Sequence, residues 1–154
     1  MLRPRQTKHK KMQKGRINPF YEYKSNKIKF GIYGLKALTT GRLTAAQIEA
    51  GRRALTSSMK RKGKIWIRAF PDYPVTSKPT EVRMGKGKGN IDYWACRVKP
   101  GKILYEIAGN NDKIMIQALK KSKTIFVPGI FIKSIILTHS NPNQMHHPKN
   151  YFKL

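Results

Sequence analysis

Ile91-Asp92-Tyr93-Trp94-Ala95-Cys96-Arg97-Val98-Lys99-Pro100-Gly101-Lys102-Ile103-Leu104-Tyr105-Glu106-Ile107-Ala108 is the stretch that decides the fold. Ile91 to Lys99 and Lys102 to Ala108 are two strand-like runs rich in aromatic and β-branched residues. Between them, Pro100 presets its own φ and Gly101 tolerates a positive one, so the pair reads as the turn of a β-hairpin. Downstream, Asn110-Asn111-Asp112 offers several N-caps for a helix to about Lys123, with Ile114, Ile116 and Leu119 as its apolar positions. Ile130 to Leu137 follows as a last apolar strand.

Upstream, Lys27-Ile28-Lys29-Phe30-Gly31-Ile32-Tyr33 alternates strictly and predicts a half-buried strand with Ile28, Phe30 and Ile32 on one face. Gly34 to Gly41 reads as a connection. Thr44-Ala45-Ala46-Gln47 is a capping box, where the Thr44 hydroxyl and the Gln47 amide satisfy the first free backbone N–H groups. The helix it opens should run to about Lys62 and stop at Gly63, burying Ile48, Leu55 and Met59, with Gly51 and Ala54 allowing close packing. Lys64 to Phe70 predicts a strand with Ile65, Ile67 and Ala69 on one side and Trp66, Arg68 and Phe70 on the other. Pro71, Pro74 and Pro79 then impose an extended loop, since each removes a donor and restricts its predecessor. Thr80 to Met84 reads as a short strand. Two helices among hairpin-linked strands predict an α+β fold around a mainly antiparallel sheet.

The short strand leads into Val82-Arg83-Met84-Gly85-Lys86-Gly87-Lys88-Gly89-Asn90, where three cations and three alternating glycines occupy nine residues. Glycine lets backbone N–H groups approach another surface, and lysine and arginine suit phosphate oxygens. No Gly-Lys-Ser/Thr ends the loop, so it is no Walker motif, and the alternating glycines are no dinucleotide fingerprint. Considered alone it is a solvated hairpin loop or a phosphate contact. The whole chain tips the balance, because 33 Lys and Arg face seven Asp and Glu in 154 residues, a formal charge of +26. Self-repulsion on that scale implies a polyanionic partner, and nucleic acid is the default. A membrane surface fits less well, because the cations lie in loops and termini rather than along one amphipathic helix.

Residues 1–16 carry seven Lys and Arg plus His9 and no acid, with hardly any apolar periodicity. This basic arm is extended, or ordered only on contact with a partner. Without serine or an amphipathic pattern it reads as a mature arm rather than a targeting peptide. The expected organisation is a basic RNA-binding arm over residues 1–26, one α+β domain over 27–137 and a polar extension over 138–154. The most apolar stretch, Ile125 to Leu137, is cut by Pro128-Gly129 and Lys133, so no membrane span is expected.

Catalytic constellations are missing. Asp72, Glu81, Asp92, Glu106 and Asp112 are too scattered for an acid–base pair, and no Ser/His/Asp or Cys/His arrangement can be argued. His9 lies in the arm, and His139, His146 and His147 lie in the tail without metal-site spacing. The single cysteine, Cys96, reads as a buried structural thiol. No metal, cofactor or small-molecule substrate is expected. Rings interspersed with cations occur at Phe20-Tyr21-Glu22-Tyr23-Lys24, Trp66-Ile67-Arg68 and Tyr93-Trp94. Splayed bases stack on such rings; Tyr21 and Tyr23 are the better candidates, with Trp66 and Trp94 read as core or sheet-face residues.

Taken in series, the motifs are familiar. Met1-Leu2-Arg3-Pro4-Arg5-Gln6-Thr7-Lys8, Gly41-Arg42-Leu43-Thr44, Gln47-Ile48-Glu49-Ala50, Arg52-Arg53-Ala54, Gly63-Lys64-Ile65-Trp66-Ile67-Arg68, Phe70-Pro71-Asp72, the Val82 to Asn90 run, Tyr93-Trp94 and Pro100-Gly101-Lys102-Ile103-Leu104-Tyr105-Glu106 closely resemble the large-subunit ribosomal protein L-sixteen family of bacteria and organelles. The resemblance covers about residues 1–137. It implies an α/β-hammerhead-like α+β fold bound to large-subunit rRNA near the base of the central protuberance. It further implies that the arm and the glycine-lysine loop reach toward the peptidyl-transferase centre and the aminoacyl-tRNA passage.

The implied role is non-catalytic: holding rRNA by phosphate neutralisation and helping to position tRNA, beside neighbouring ribosomal proteins. By the same resemblance, Arg3, Arg5, Lys8, Lys10, Lys11, Lys14 and Arg16 form the RNA-binding arm. Arg42, Arg52 and Arg53 match basic motifs of the domain, and Arg83, Met84, Lys86 and Lys88 form the loop nearest the centre. The segments around Asn18 to Lys27, Asn110-Asn111 and Ile125 to Leu154 depart from the usual bacterial pattern. Heavy use of Lys, Ile and Asn suits an A+T-rich coding genome, and with no added presequence a mitochondrially encoded member is the expectation, a plastid or bacterial one the alternative.

Overall fold

A type II turn pulls the chain from one sheet into another at Pro100-Gly101. In the computed structural model, which describes residues 2–125 and the backbone of Ile132–Ile135, the Lys102 amide donates to the Lys99 carbonyl at 3.3 Å. Gly101 takes φ +89°, the positive value that the third residue of a type II turn requires. The turn itself is therefore as expected, but the hairpin is not. Asn90–Val98 (β5) pairs with Gly41–Thr44 (β2) and Tyr73–Ser77 (β4) in a three-stranded sheet ordered β2-β5-β4. Ile103–Ala108 (β6) belongs instead to a four-stranded sheet, ordered β3-β6-β1-β7, with Tyr33–Ala37 (β1), Lys64–Ile67 (β3) and Ile132–Ile135 (β7). A type II turn splays its flanking strands where a primed turn would fold them together. Here the splay is used: the Gly101 amide donates to the Ala37 carbonyl at 2.7 Å, and the Ala37 amide to the Lys102 carbonyl at 2.9 Å. Every strand pair is antiparallel, so the α+β expectation holds, with two sheets in place of one.

Of the alternating run over residues 27–33, only Tyr33 lies in a strand. The amides of Lys29, Phe30 and Gly31 converge on the buried Glu106 carboxylate, with Phe30 and Gly31 at 2.6 and 2.9 Å. Those donors are lost to any ladder. Pairing begins only where the Ile32 amide reaches the Ile107 carbonyl at 2.9 Å. Gly31 is obligatory at this point, because a Cβ would lie 2.7 Å from the Ile107 carbonyl oxygen. Beyond it, β1 runs through the expected connection as far as Ala37 and is almost wholly buried.

Two helices complete the fold of the described residues. Ala45–Ser58 (α1) starts on the expected capping box, with the Gln47 amide on Thr44 Oγ1 at 3.2 Å and the Thr44 amide on Gln47 Oε1 at 2.9 Å. It ends four residues early because Lys60 and Arg61 turn left-handed, at φ +50° and +61°. Asp112–Ile125 (α2) is capped by Asn111, whose side chain accepts the Ile114 amide at 3.3 Å. Its buried face is Met115, Ala118, Leu119 and Ser122, so of the three expected apolar positions only Leu119 is fully enclosed. The helices pack on each other, α1 also against β2, β3 and β5 and α2 against β1 and β7. Ile48, Leu55, Met59, Met115 and Leu119 meet Leu35, Leu43, Val98, Tyr105 and Ile107 in one core. The Tyr105 hydroxyl donates to the Ile48 carbonyl at 2.7 Å, tying sheet to helix.

Proline punctuation misleads once. Residues 71–79 should form a loop, yet Tyr73–Ser77 is a strand and Thr80 to Met84 is exposed loop. Pro74 is accommodated because β4, among the described residues, lies at a sheet edge and pairs with β5 alone. The tail from Thr138, with His139, His146 and His147, lies outside the described residues. Among those described, no helix is long and apolar enough to cross a membrane.

Candidate nucleic-acid interface

Because β4 and β5 pair, the glycine-lysine segment is the loop of a β-hairpin, over residues 78–89. Its base is closed by a close approach: a Cβ on Gly89 would sit 2.2 Å from the Ser77 carbonyl oxygen. Its tip is different. Gly85, Lys86 and Gly87 take φ values of +101°, +52° and +80°, and a Cβ on either tip glycine would meet nothing within 4 Å. Glycine is therefore needed there for backbone shape, not for packing. Residues 81–88 are all exposed, Met84 at 94%, so the tip stands away from the body.

The arm is fastened to this hairpin and to the three-stranded sheet. Arg42 and Arg97 are direct cross-strand partners, a like-charge pair that would ordinarily destabilise a sheet. Both guanidinium groups turn to the carbonyl groups of the arm. Arg42 donates to Lys14 and Gly15 at 3.2 and 3.0 Å, and Arg97 to Gln13 and Lys14 at 3.3 and 3.2 Å. The Tyr73 hydroxyl donates to the Gln13 carbonyl at 2.9 Å, while its ring lies 3.9 Å from the Arg97 guanidinium carbon and 5.5 Å from that of Arg42. Farther along, Lys11 Nζ donates to the Lys88 carbonyl at 2.8 Å and Lys88 Nζ donates back to the Met12 carbonyl. Lys78 Nζ braces the tip through the Gly85 carbonyl at 2.6 Å.

Arm and loop therefore form one cationic ribbon. Lys11, Lys14, Arg42 and Lys88 come together in it. Arg3, Arg5, Lys8, Lys10, Arg16, Arg83 and Lys86 are exposed and make no hydrogen bond or ion pair among the described residues. At its start, Leu2, Arg3, Pro4, Arg5 and Thr7 face Thr44 to Ala46 and Ile91 to Trp94 across a cavity of about 1090 Å³. Arg52 and Arg53 stand apart on α1. Arg52 pairs with Glu49 at 2.6 Å and Arg53 reaches it at 3.3 Å while its side chain stays 75% exposed. The hydrogen bond from Arg52 and the nearby charge of both arginines hold the Glu49 carboxyl down at about 2. Arg52 and Arg53 line a shallow depression together with a third cation, Arg61.

Arg97 and Tyr73 hold the arm and Lys78 braces the loop, and the sequence singles out none of the three. Their role depends on which strands pair, which no local pattern encodes. Tyr21 and Tyr23 also separate: Tyr21 is seated against Gly101, while Tyr23 is 79% exposed. Cys96 is buried, and burial raises its thiol pKa, so it is a structural thiol as expected. Among the described residues, no three His, Cys, Asp or Glu side chains stand close enough to hold a metal.

Comparison with known proteins agrees with the geometry. The sequence profile described as "Ribosomal protein L16p/L10e" matches residues 4–128. The chain is similar to the "Large ribosomal subunit protein uL16" of Paracoccus denitrificans, 58% identical over 120 residues, 78% of this chain and 87% of that one. It is 56% identical to the protein of that name from Psychrobacter cryohalolentis over 119 residues, 77% and 86% of the two chains. With that of Buchnera aphidicola the identity is 54% over 133 residues, 82% and 96% of the chains. A cationic arm strapped to a glycine-lysine hairpin, on an α+β body that matches this profile over most of its length, belongs to the ribosomal protein L16p/L10e family.

Proposed function

We propose that this chain is a structural constituent of the large ribosomal subunit that binds rRNA through the ribbon of arm and hairpin loop. The observation that carries the reading is the reciprocal Lys11–Lys88 contact, which joins two basic segments far apart in sequence into one surface. The exposed cations beside it neutralise phosphates and release counterions, the dominant source of affinity for nucleic acid. The family is one of structural proteins of the ribosome, so the chain is not an enzyme. The role is to hold RNA segments and neighbouring ribosomal proteins in place.

A finer part of the proposal concerns the loop tip. Arg83, Met84 and Lys86 project from a braced hairpin, a geometry suited to touching a mobile partner such as tRNA while the arm holds rRNA. A mitochondrial setting is also proposed, supported by the heavy use of Lys, Ile and Asn. A nuclear gene whose precursor carries a cleavable leader would sink that part. The main reading is tested by sedimentation. The protein should travel with large subunits in low salt and be released by high salt; if it stayed in the ribosome-free fraction, the reading would fail.

A further inference from the structure

Outside the ribbon, the segment from Phe20 to Gly31 is rigidly held yet presents aromatic rings to solvent. Tyr23 is 79% exposed and Phe20 74%. Loose loops often expose a ring by default, but this one is pinned at both ends. The Glu22 amide donates to the Pro100 carbonyl at 2.8 Å, and the Ile103 amide to the Ser25 carbonyl at 3.0 Å. The Tyr21 ring lies so close to Gly101 that a Cβ there would stand 2.6 Å from its atoms. Tyr23 packs edge-on against Tyr21, with ring centroids 5.7 Å apart at 68°. The Lys36 ammonium sits 5.0 Å from the centroid of the Tyr21 ring.

We propose that Tyr23 is a stacking platform for one unpaired nucleobase of RNA, at a site separate from the ribbon formed by residues 3–16 and the glycine-lysine loop. A backbone pinned on both sides of the ring before its partner arrives loses little freedom on binding. Every base offers a π-face to it, and lysines at positions 24 and 36 supply charge for the flanking phosphates. The one acid there, Glu22, has its carboxylate turned to the Lys24 amide at 3.2 Å, and the two lysines outnumber it, which selects a nucleotide over an apolar protein surface as the occupant. Tyr21 is the positioning residue, wedged between Gly101 and the exposed ring. The inference rests on the chain being an RNA binder.

The test uses the full chain with a short single-stranded RNA carrying one 4-thiouridine, and a duplex of equal length at the same salt. Irradiation should cross-link the single strand to the peptide that contains Tyr23. Tyr23→Ala should abolish that adduct and weaken single-strand binding roughly five- to a hundredfold. Duplex affinity, the salt slope and the unfolding midpoint should not move. Tyr23→Phe keeps the ring and should behave as the unaltered protein. Adducts mapping only elsewhere would overturn the site, whatever the variants do. So would a Tyr23→Ala protein that binds single strands undiminished, or one that loses both substrates equally. If Tyr23→Ala instead lost only a cross-link to another protein in assembled subunits, the ring would be a protein contact and the proposal would fall. An unaltered chain with no salt-sensitive affinity for either RNA would sink the broader RNA-binding reading instead.

Discussion

Glu106 is fully buried, yet its carboxyl is held below the usual carboxylate range. Burial alone pushes it up; the amides of Phe30 and Gly31, the Arg68 guanidinium and the Lys29 amide more than offset that. The cluster shapes the molecule as well as the charge. It folds residues 29–31 into a claw where alternation would have made a strand, and Arg68 also reaches the Lys27 carbonyl at 3.3 Å. Phe30 closes over it, stacked on Trp66 at 6.3 Å with Arg68 above its ring. Glu106→Ala should destabilise the fold by about 3–5 kcal/mol, because it removes the one carboxylate that the largely buried Arg68 and the amides of residues 29–31 share. The sign with pH follows from the depressed value. The stabilisation is fully present above the unfolded-state pKa of about 4.3 and is lost as pH falls through the lower folded-state value. Urea midpoints measured downward from neutral pH should therefore fall below about pH 4, and fall less steeply in Glu106→Gln. An identical pH profile in that variant would show that Glu106 is not the group responsible.

At the scale of elements, local signals were legible and pairing was not. The capping box opened α1 where Thr44 and Gln47 said it would, because every atom involved lies within one turn of helix. The Pro100-Gly101 turn formed for the same reason. Its consequence was misjudged, since whether the flanking strands fold together or part company depends on the hand of the turn and on what each strand meets afterwards. The basic loop divides likewise. Lys86 and Lys88 look equivalent in sequence, but Lys88 is tied to the Met12 carbonyl while Lys86 projects at the tip. Lys86→Ala should lower the log–log salt slope of rRNA binding by about 0.7–0.9, one phosphate contact, and leave the arm in place. Lys88→Ala should also loosen the arm, raising amide exchange at residues 11–15. Equal behaviour of the two variants in both measurements would mean that the strap does not hold in solution.

Over the whole molecule, 33 basic residues are arranged rather than merely numerous. Glu106 draws Arg68 into the body, Glu49 pairs with Arg52 on the surface of α1, carbonyl groups of the arm take up Arg42 and Arg97, and the loop tip keeps its cations outward. Arg83→Ala should therefore leave incorporation into large subunits intact while slowing tRNA-dependent steps of translation, as read by subunit profiles and elongation rates. A defect confined to assembly would count against the tip's proposed role. The amino-acid sequence by itself determined that this chain is α+β, where its helices start, that its partner is a polyanion and to which family it belongs. The first three rest on composition or on contacts within a few residues, and the family on the order of short motifs along the chain. Only the tertiary structure decided that the strands divide into two sheets, that Glu106 recruits residues 29–31, that Arg97 and Tyr73 fasten the arm to the three-stranded sheet, and that Lys11 and Lys88 join it to the loop. Each of those joins groups tens of residues apart, and no pattern along the chain records which distant donors and acceptors will meet.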